Sequence, residues 1–340
     1  MKNIEIPQWP YAYGGPSGTG KIRTEPEDFI VNEVLSFEPS SEGEHVFLLI
    51  EKKGENTEFV ARQLARFAGV RQRDIGYAGL KDRHAVTTQW FSVWLPGKEA
   101  PQWSGFESET ITVHRSIRHA RKLKRGILSG NRFELLIRDW QGDEKRLEDQ
   151  LSRIKTCGVP NYFGEQRFGN LGQNVNKALA LFEGAKVKRE QRGIYLSAAR
   201  SFLFNHILAE RIKLESWNKP VDGDVFIVDG SRGFFKVDQI DQSISKRVDA
   251  CEIHPSAVLC GQGASEVAGK ARAIESAVIE RFDFIGRGLS NCGLESARRA
   301  LRMCVSDLEW RFISLDRLQL KFTLPAGSYA TALLREIIES

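Results

Sequence analysis

The sequence predicts a two-domain α/β (α+β) protein: a mixed, largely antiparallel sheet with flanking helices, interrupted by an inserted helix-rich domain. Three observations carry that prediction. The chain has 340 residues, room for two domains at roughly 150 residues each. Short runs of alternating apolar and polar residues, the period of a half-buried strand, crowd both ends of the chain. Between them the apolar residues recur mainly at helical spacing. One domain is therefore expected from residues 1–158 together with 305–340, and the insert from residues 159–304.

Taken in order, residues 11–20 form a glycine-rich lead-in. It lacks the Gly-Lys-Ser/Thr ending of a phosphate loop, so its glycines alone make no nucleotide site. Residues 21–31 and 44–51 read as strands bounded by turn residues. Residues 56–68 read as a helix, with Val60, Leu64, Phe67 and Ala68 on one stripe, Asn56 or Thr57 as N-cap and Gly69 as the stop. A turn over 76–86 feeds a strand over 87–94. After 111–113 the chain becomes strongly basic. A turn at Ser129-Gly130 then opens a strand in which Asn131 and Phe133, two residues apart, share a face. Leu147, Leu151 and Ile154 stripe a helix over 144–157 that Gly158 ends. Helical stripes follow over 196–214, 243–253, 264–282 and 294–303, broken by a strand pair at 224–228 and 233–237. Strands at 310–313 and 318–324 precede a helix over 328–336, with Ser328 as a candidate cap.

Composition narrows the chemistry. At 41% hydrophobic and 27% charged residues the balance is that of an ordinary globular protein. The formal net charge of +5 suits a polyanionic partner only if it is clustered, and Arg115, Arg118, Arg121, Lys122, Lys124 and Arg125 do cluster. That run is either a solvated face or a set of RNA phosphate contacts. Five cysteines without a Cys-x-x-Cys pair suggest a reducing compartment. With no apolar signal core or membrane-length run, a cytoplasmic protein with no membrane partner is expected. No histidine or cysteine spacing suits a metal, and no Gly-x-Ser-x-Gly elbow suits a serine hydrolase.

The stretch Gly76-Tyr77-Ala78-Gly79-Leu80-Lys81-Asp82-Arg83-His84-Ala85-Val86 stands out. It sets a carboxylate between two cations at the entrance to a strand. Such a turn is either ordinary and solvated or a reactive group on a rigid support. An ionised carboxylate can act as a covalent nucleophile.

Four motifs give the sequence a resemblance to a known family along nearly its whole length. They are Pro26-Glu27-Asp28-Phe29 with the later Glu42-Gly43-Glu44-His45; the Ala78 to Val86 part of the turn; Gly158-Val159-Pro160-Asn161-Tyr162-Phe163-Gly164-Glu165-Gln166-Arg167-Phe168-Gly169; and Leu324-Pro325-Ala326-Gly327-Ser328-Tyr329-Ala330-Thr331. In this order they resemble the tRNA pseudouridine synthase D (TruD) family. The resemblance implies a pseudouridine synthase core split by a family-specific TRUD domain, acting on tRNA without cofactor, metal or nucleotide; a monomer is expected. The implied reaction isomerises a uridine, expected at position 13 in the D-arm. A non-catalytic tRNA-binding or RNA-chaperone module is the alternative.

Carried over residue by residue, the resemblance makes Asp82 the nucleophile and Arg23 its basic partner. Neighbours on an extended backbone point away from Asp82, which takes Lys81 and Arg83 out of that role. Phe29, Asn131, Phe133 and Tyr329 fall at base-contacting positions, with Phe133 where many other pseudouridine synthases use Tyr and Tyr329 where Phe is frequent. Each has a plainer reading. Phe29 and Phe133 suit a core, Asn131 a turn, and Tyr329 a helix-start contact. Arg167 either touches RNA or ties the domain junction.

Overall fold

The computed structural model describes residues 3–231 and 233–339. In its first half, strands β1 (Gly18–Lys21), β2 (Phe29–Val34) and β3 (His45–Lys53) are followed by helix α1 (Thr57–Phe67). Strands β4 (Ile75–Tyr77), β5 (Val86–Trp94), β6 (Ile111–His119) and β7 (Gly130–Gly142) complete it. Helix α2 (Glu144–Cys157), strand β8 (Val159–Pro160) and helices α3 (Gln173–Phe182) and α4 (Arg189–Lys213) come next. Strands β9 (Val225–Val228) and β10 (Phe234–Lys236), helix α5 (Gln242–Asp249) and strand β11 (Ile253–Leu259) lead to helices α6 (Gly269–Arg281) and α7 (Asp283–Asn291). The chain ends with β12 (Ala297–Ala300), β13 (Arg302–Met303), β14 (Ser306–Ser314), β15 (Arg317–Pro325) and α8 (Ala330–Ile337).

These elements form two compact units. The sheet unit comprises Gly18–Asp143 and Val305–Gly327; the helical unit comprises Glu144–Cys304, the segment through Ser17, and Ser328–Ile338. The partition 1–158/305–340 against 159–304 is a functional proposal, taken up below.

In the sheet unit the strand order is β14-β15-β7-β2-β5-β3-β6, with β1 beside β7 and β4 beside β5. β2 and β5 run parallel, while the other registered pairs along this path are antiparallel, so the sheet is mixed and largely antiparallel. Alternation along β3 sends Val46, Leu48 and Ile50 against α1, where Val60 and Leu64 meet them. Phe47 turns to the other face and packs with Trp90 and Leu123. β7 can open against β15 only because residue 130 is glycine; a Cβ there would run into the Leu324 carbonyl oxygen.

α4 organises the helical unit. Its Phe202, Leu203, Phe204, Ile207 and Leu208 are all buried, as befits a helix apolar on most sides. The order β10-β9-β11-β12 forms a second, antiparallel sheet, and β13 pairs with β8. α2 ends as expected at Gly158, whose φ of 74° suits glycine.

Several expectations are corrected. Residues 294–303, expected as a helix, are β12 and β13. Ala297–Ala300 pairs with Leu259–Ser256 of β11, and Arg298 reaches Glu275, so long-range pairing overrides local helical spacing. The helix expected over 243–253 stops at Asp249 and β11 begins at Ile253; the one expected over 264–282 starts only at Gly269. Helices α3 and α7 were not anticipated. The last helix is capped at Tyr329 rather than Ser328, without a side-chain hydrogen bond. Cys251 and Cys304, 53 residues apart, form a disulfide that no local spacing marks; Cys157, Cys260 and Cys292 are free.

Candidate active site

The turn before β5 is held from beneath by a buried polar network. Alternation along β2 buries Phe29, Val31 and Glu33 on one face. Glu33 there accepts a hydrogen bond from the Trp90 amide at 2.9 Å, and its carboxylate lies 2.6 Å from the Lys81 ammonium. Burial pushes the Glu33 carboxyl up, and Lys81 is the strongest influence opposing that shift. Gln89 of β5 donates to the Gly79 carbonyl at 2.7 Å. Thr57, at the start of α1, accepts from the Lys81 amide at 3.0 Å and donates to Gln89 at 2.9 Å.

Asp82 follows directly. Its carboxylate faces Arg23, Nη2 to Oδ2 at 3.0 Å, and accepts from the His84 amide at 3.1 Å. Its carbonyl accepts from Lys52 at 3.2 Å, and Lys52 also donates to the Glu55 carbonyl at 2.6 Å. Lys52 is fully buried at the end of the Val46, Leu48, Ile50 face. Burial pulls its ammonium down to about 8, with Asp82 the leading influence in the other direction. Lys81 and Arg83 both turn elsewhere, Lys81 to Glu33 and Arg83 to the Gly54 carbonyl.

Arg23 sits at φ 59°, a left-handed conformation that costs a non-glycine residue on the order of 1 kcal/mol. It stands 4.1 Å from the centroid of the Phe29 ring, and its buried Nε has no acceptor among the described residues. The loop between them is clamped by Arg138 of β7, whose Nε lies 2.9 Å from Asp28 and whose Nη2 lies 2.8 Å from Glu25. The strained backbone thus lies between two fixed points.

The register places the other predicted residues. Val31 faces Phe133 across β2 and β7, Glu33 faces Asn131, and Phe322 of β15 faces Phe133. Phe133 stacks on Phe322 at 5.2 Å and meets Phe29 edge-on at 6.2 Å. Arg23, Asp82, Phe29 and Phe133 therefore form one contiguous set, with both phenylalanines buried. Asn131 Oδ1 is buried and has no donor among the described residues. Tyr329 belongs to the helical unit, where its hydroxyl accepts from Arg167 at 2.9 Å.

The basic run divides. β6 continues through it to His119 as an edge strand beside β3. Arg118 donates to the Lys98 carbonyl at 2.7 Å, Lys122 to the Arg73 carbonyl at 2.5 Å, and Arg125 to the Tyr77 hydroxyl at 3.1 Å. Arg115 is exposed, 3.8 Å from Glu38, while Arg121 and Lys124 are exposed with no ion pair to a carboxylate among the described residues. Glu33, Lys52, Thr57 and Gln89 are the residues that the sequence reading missed. A signal existed for Glu33 and Lys52: alternation along β2 and β3 puts each on a buried face, where a charge needs a partner.

Among the described residues, no group of three or more histidine, cysteine, aspartate or glutamate side chains is placed to hold a metal ion. No helix among them is long and apolar enough to cross a membrane.

A solved structure from Methanosarcina mazei, assigned as a tRNA pseudouridine synthase D, shares this fold with a TM-score of 0.76 at 23% identity, covering 96% of this chain and 95% of that one. The family profile described as tRNA pseudouridine synthase D (TruD) matches residues 6–181 and 172–337. A protein of Methylococcus capsulatus with that name is 52% identical over 97% of this chain and 94% of its own length. Another, from Nitrosococcus oceani, is 50% identical over 100% of this chain and 97% of its own. The chain belongs to the tRNA pseudouridine synthase D family, and it is an enzyme of the isomerase class.

Proposed function

We propose that this protein converts the uridine at position 13 of the tRNA D-arm to pseudouridine, with the Asp82 carboxylate as nucleophile and Arg23 as its electrostatic partner. The N1–C1' glycosidic bond breaks, a C5–C1' bond forms, and the proton leaving C5 is balanced by one gained at N1. The product is an isomer, so no oxidant, reductant or nucleotide enters the balance. Attack at C1', addition at C6 and proton abstraction all require an ionised carboxylate in a fixed place. The 3.0 Å contact between Arg23 and Asp82 is the observation that best supports this reading.

A uridine within folded tRNA must be unstacked to reach such a carboxylate, at a cost of a few kcal/mol. Aromatic contact offsets that cost, at roughly 1–3 kcal/mol per base, and Phe29, Phe133 and Tyr329 are the residues assigned to it. Asn131 reads the uracil edge: its buried Oδ1 lacks a donor, and uracil N3–H is one. Arg115, Arg121 and Lys124 are the cations of the basic run left to meet phosphates; Arg118, Lys122 and Arg125 hold backbone carbonyls or a tyrosine hydroxyl instead. Residues 1–158 and 305–340 constitute the catalytic core and 159–304 the TRUD insert, and the protein works as a cytoplasmic monomer.

Incubation with unmodified tRNA transcripts followed by pseudouridine mapping tests this directly. The expected product is a single pseudouridine at position 13. Bound tRNA that stays unmodified, or product confined to another position, would overturn the proposal.

A further inference from the structure

A second set of cations belongs to the helical unit. α4 presents Arg192, Leu196 and Arg200 at successive i, i+4 positions, with Ser197 beside them, along a cavity of about 240 Å³ that Phe163 also lines. Arg200 donates through Nη2 to the Leu259 carbonyl at 2.7 Å and the Glu295 carbonyl at 2.9 Å, but its buried Nε has no acceptor among the described residues. Arg192 is exposed and donates to the Cys292 carbonyl at 3.2 Å.

Two more guanidinium groups stand behind them. Arg299 lies 4.1 Å from the Phe163 centroid and donates to the Asn161 side chain at 2.5 Å; Arg167 lies 5.3 Å from the same ring and donates to Ser197 Oγ at 3.1 Å.

None of these four arginines has a carboxylate partner among the described residues. The neighbouring pattern in the same unit is the opposite: Arg298, adjacent to Arg299, lies 2.8 Å from Glu275, and Arg211 lies 2.7 Å from Asp224. Burial pulls Arg200 down and Arg299 down to about 10. A half-buried cation without a carboxylate keeps part of its desolvation cost until an anion completes it.

We infer that this pocket binds a phosphodiester of the RNA substrate, with Arg192 and Arg200 taking its anionic oxygens. Ser197, whose Oγ already accepts from Arg167, gives its own proton to the same group. A guanidinium fork matches phosphate geometry, and the exposed Arg192 has donors beyond the one it gives the Cys292 carbonyl. The assignment rests on the RNA-acting role proposed above and adds a contact point within the helical unit. A free phosphate group offers the same chemistry, so the test must separate it from RNA.

The full-length protein is titrated with unmodified tRNA transcript between about 50 and 200 mM salt, as wild type, Arg192→Gln, Arg200→Gln and Arg287→Gln. Arg287 is an exposed cation of α7 paired with Asp283 and serves as the control. Arg192→Gln and Arg200→Gln should each weaken binding by about 5- to 20-fold at low salt. Each should also lower the slope of log affinity against log salt by roughly 0.7–1, while Arg287→Gln changes neither.

Arg192 is exposed, so its variant remains informative if Arg200→Gln fails to fold. Unchanged affinity and slope in folded Arg192→Gln would overturn the inference. So would loss of inorganic phosphate binding, measured by calorimetry, with tRNA affinity intact. Wild type that binds tRNA but forms no pseudouridine would instead remove the proposed reaction and leave the phosphate contact to be judged by the same titrations.

Discussion

The Asp82 turn of the sheet unit and the α4 pocket of the helical unit treat charge in opposite ways. Beneath the Asp82 turn each cation has an acceptor within the fold: Lys81 meets Glu33 at 2.6 Å, Arg23 meets Asp82 at 3.0 Å, and Lys52 meets two carbonyls. In the helical unit Arg200 and Arg299 are held by carbonyls and an amide, with no carboxylate among the described residues. Charges matched internally fix a geometry before any ligand arrives, which suits a group that must be in place for chemistry. Charges left unmatched are completed by what binds.

The comparison breaks most visibly if the matched side is unmatched. Lys81→Met leaves the Glu33 carboxylate buried alone, and unfolding in urea should show a loss of about 3–5 kcal/mol. Glu33 then holds its proton more tightly when folded than when unfolded, so the loss shrinks as pH falls and grows as pH rises. Lys81→Met combined with Glu33→Gln should recover much of it. A loss below about 1 kcal/mol in the single variant would mean that the pair does not anchor the turn.

His206 offers a neutral counterpart in the helical unit. It lies among Trp9, Phe202 and Phe282, its Nε2 has no partner among the described residues, and burial pulls its pKa down to about 4. Because the folded value lies below the unfolded one, its contribution is complete above pH about 6.5 and is lost as pH falls through about 4. The expected loss is about 3 kcal/mol across that window, and His206→Phe should flatten it in thermal denaturation measured against pH. An equally steep acid loss in the variant would assign the effect to other groups.

The smallest effect expected is at Arg23. Arg23→Ala should lower kcat by roughly 10- to 100-fold, about 1.4–2.7 kcal/mol, and Arg23→Lys by less, since charge remains while the planar stack on Phe29 is lost. Equal losses in the two variants would show that the ring contact and not the charge matters.

The parts of the fold written in local pattern were legible in the sequence. Strand alternation marked β3, β5, β14 and β15, and the stripe of Val60 and Leu64 marked α1. What escaped was set by distant partners. β12 takes its strand form from β11, the Cys251–Cys304 bond joins segments far apart in sequence, and the helical spacing of 294–303 is overridden by pairing. At the candidate site, Asp82 stood out by its turn, whereas Arg23 was placed by family resemblance because no residue pattern links the two. Glu33 and Lys52 were missed, although strand alternation puts each charge on a buried face. Their partners depended on how the turn folds back over the sheet, which periodicity does not report.

The most direct test of the account is single-turnover pseudouridine formation on unmodified tRNA by wild type and Asp82→Asn, with tRNA binding measured in parallel. Product at position 13 is expected with wild type. Asp82→Asn should bind tRNA with wild-type-like affinity and form product at least about 10³-fold more slowly. Product formation by Asp82→Asn at a rate near that of wild type would contradict it.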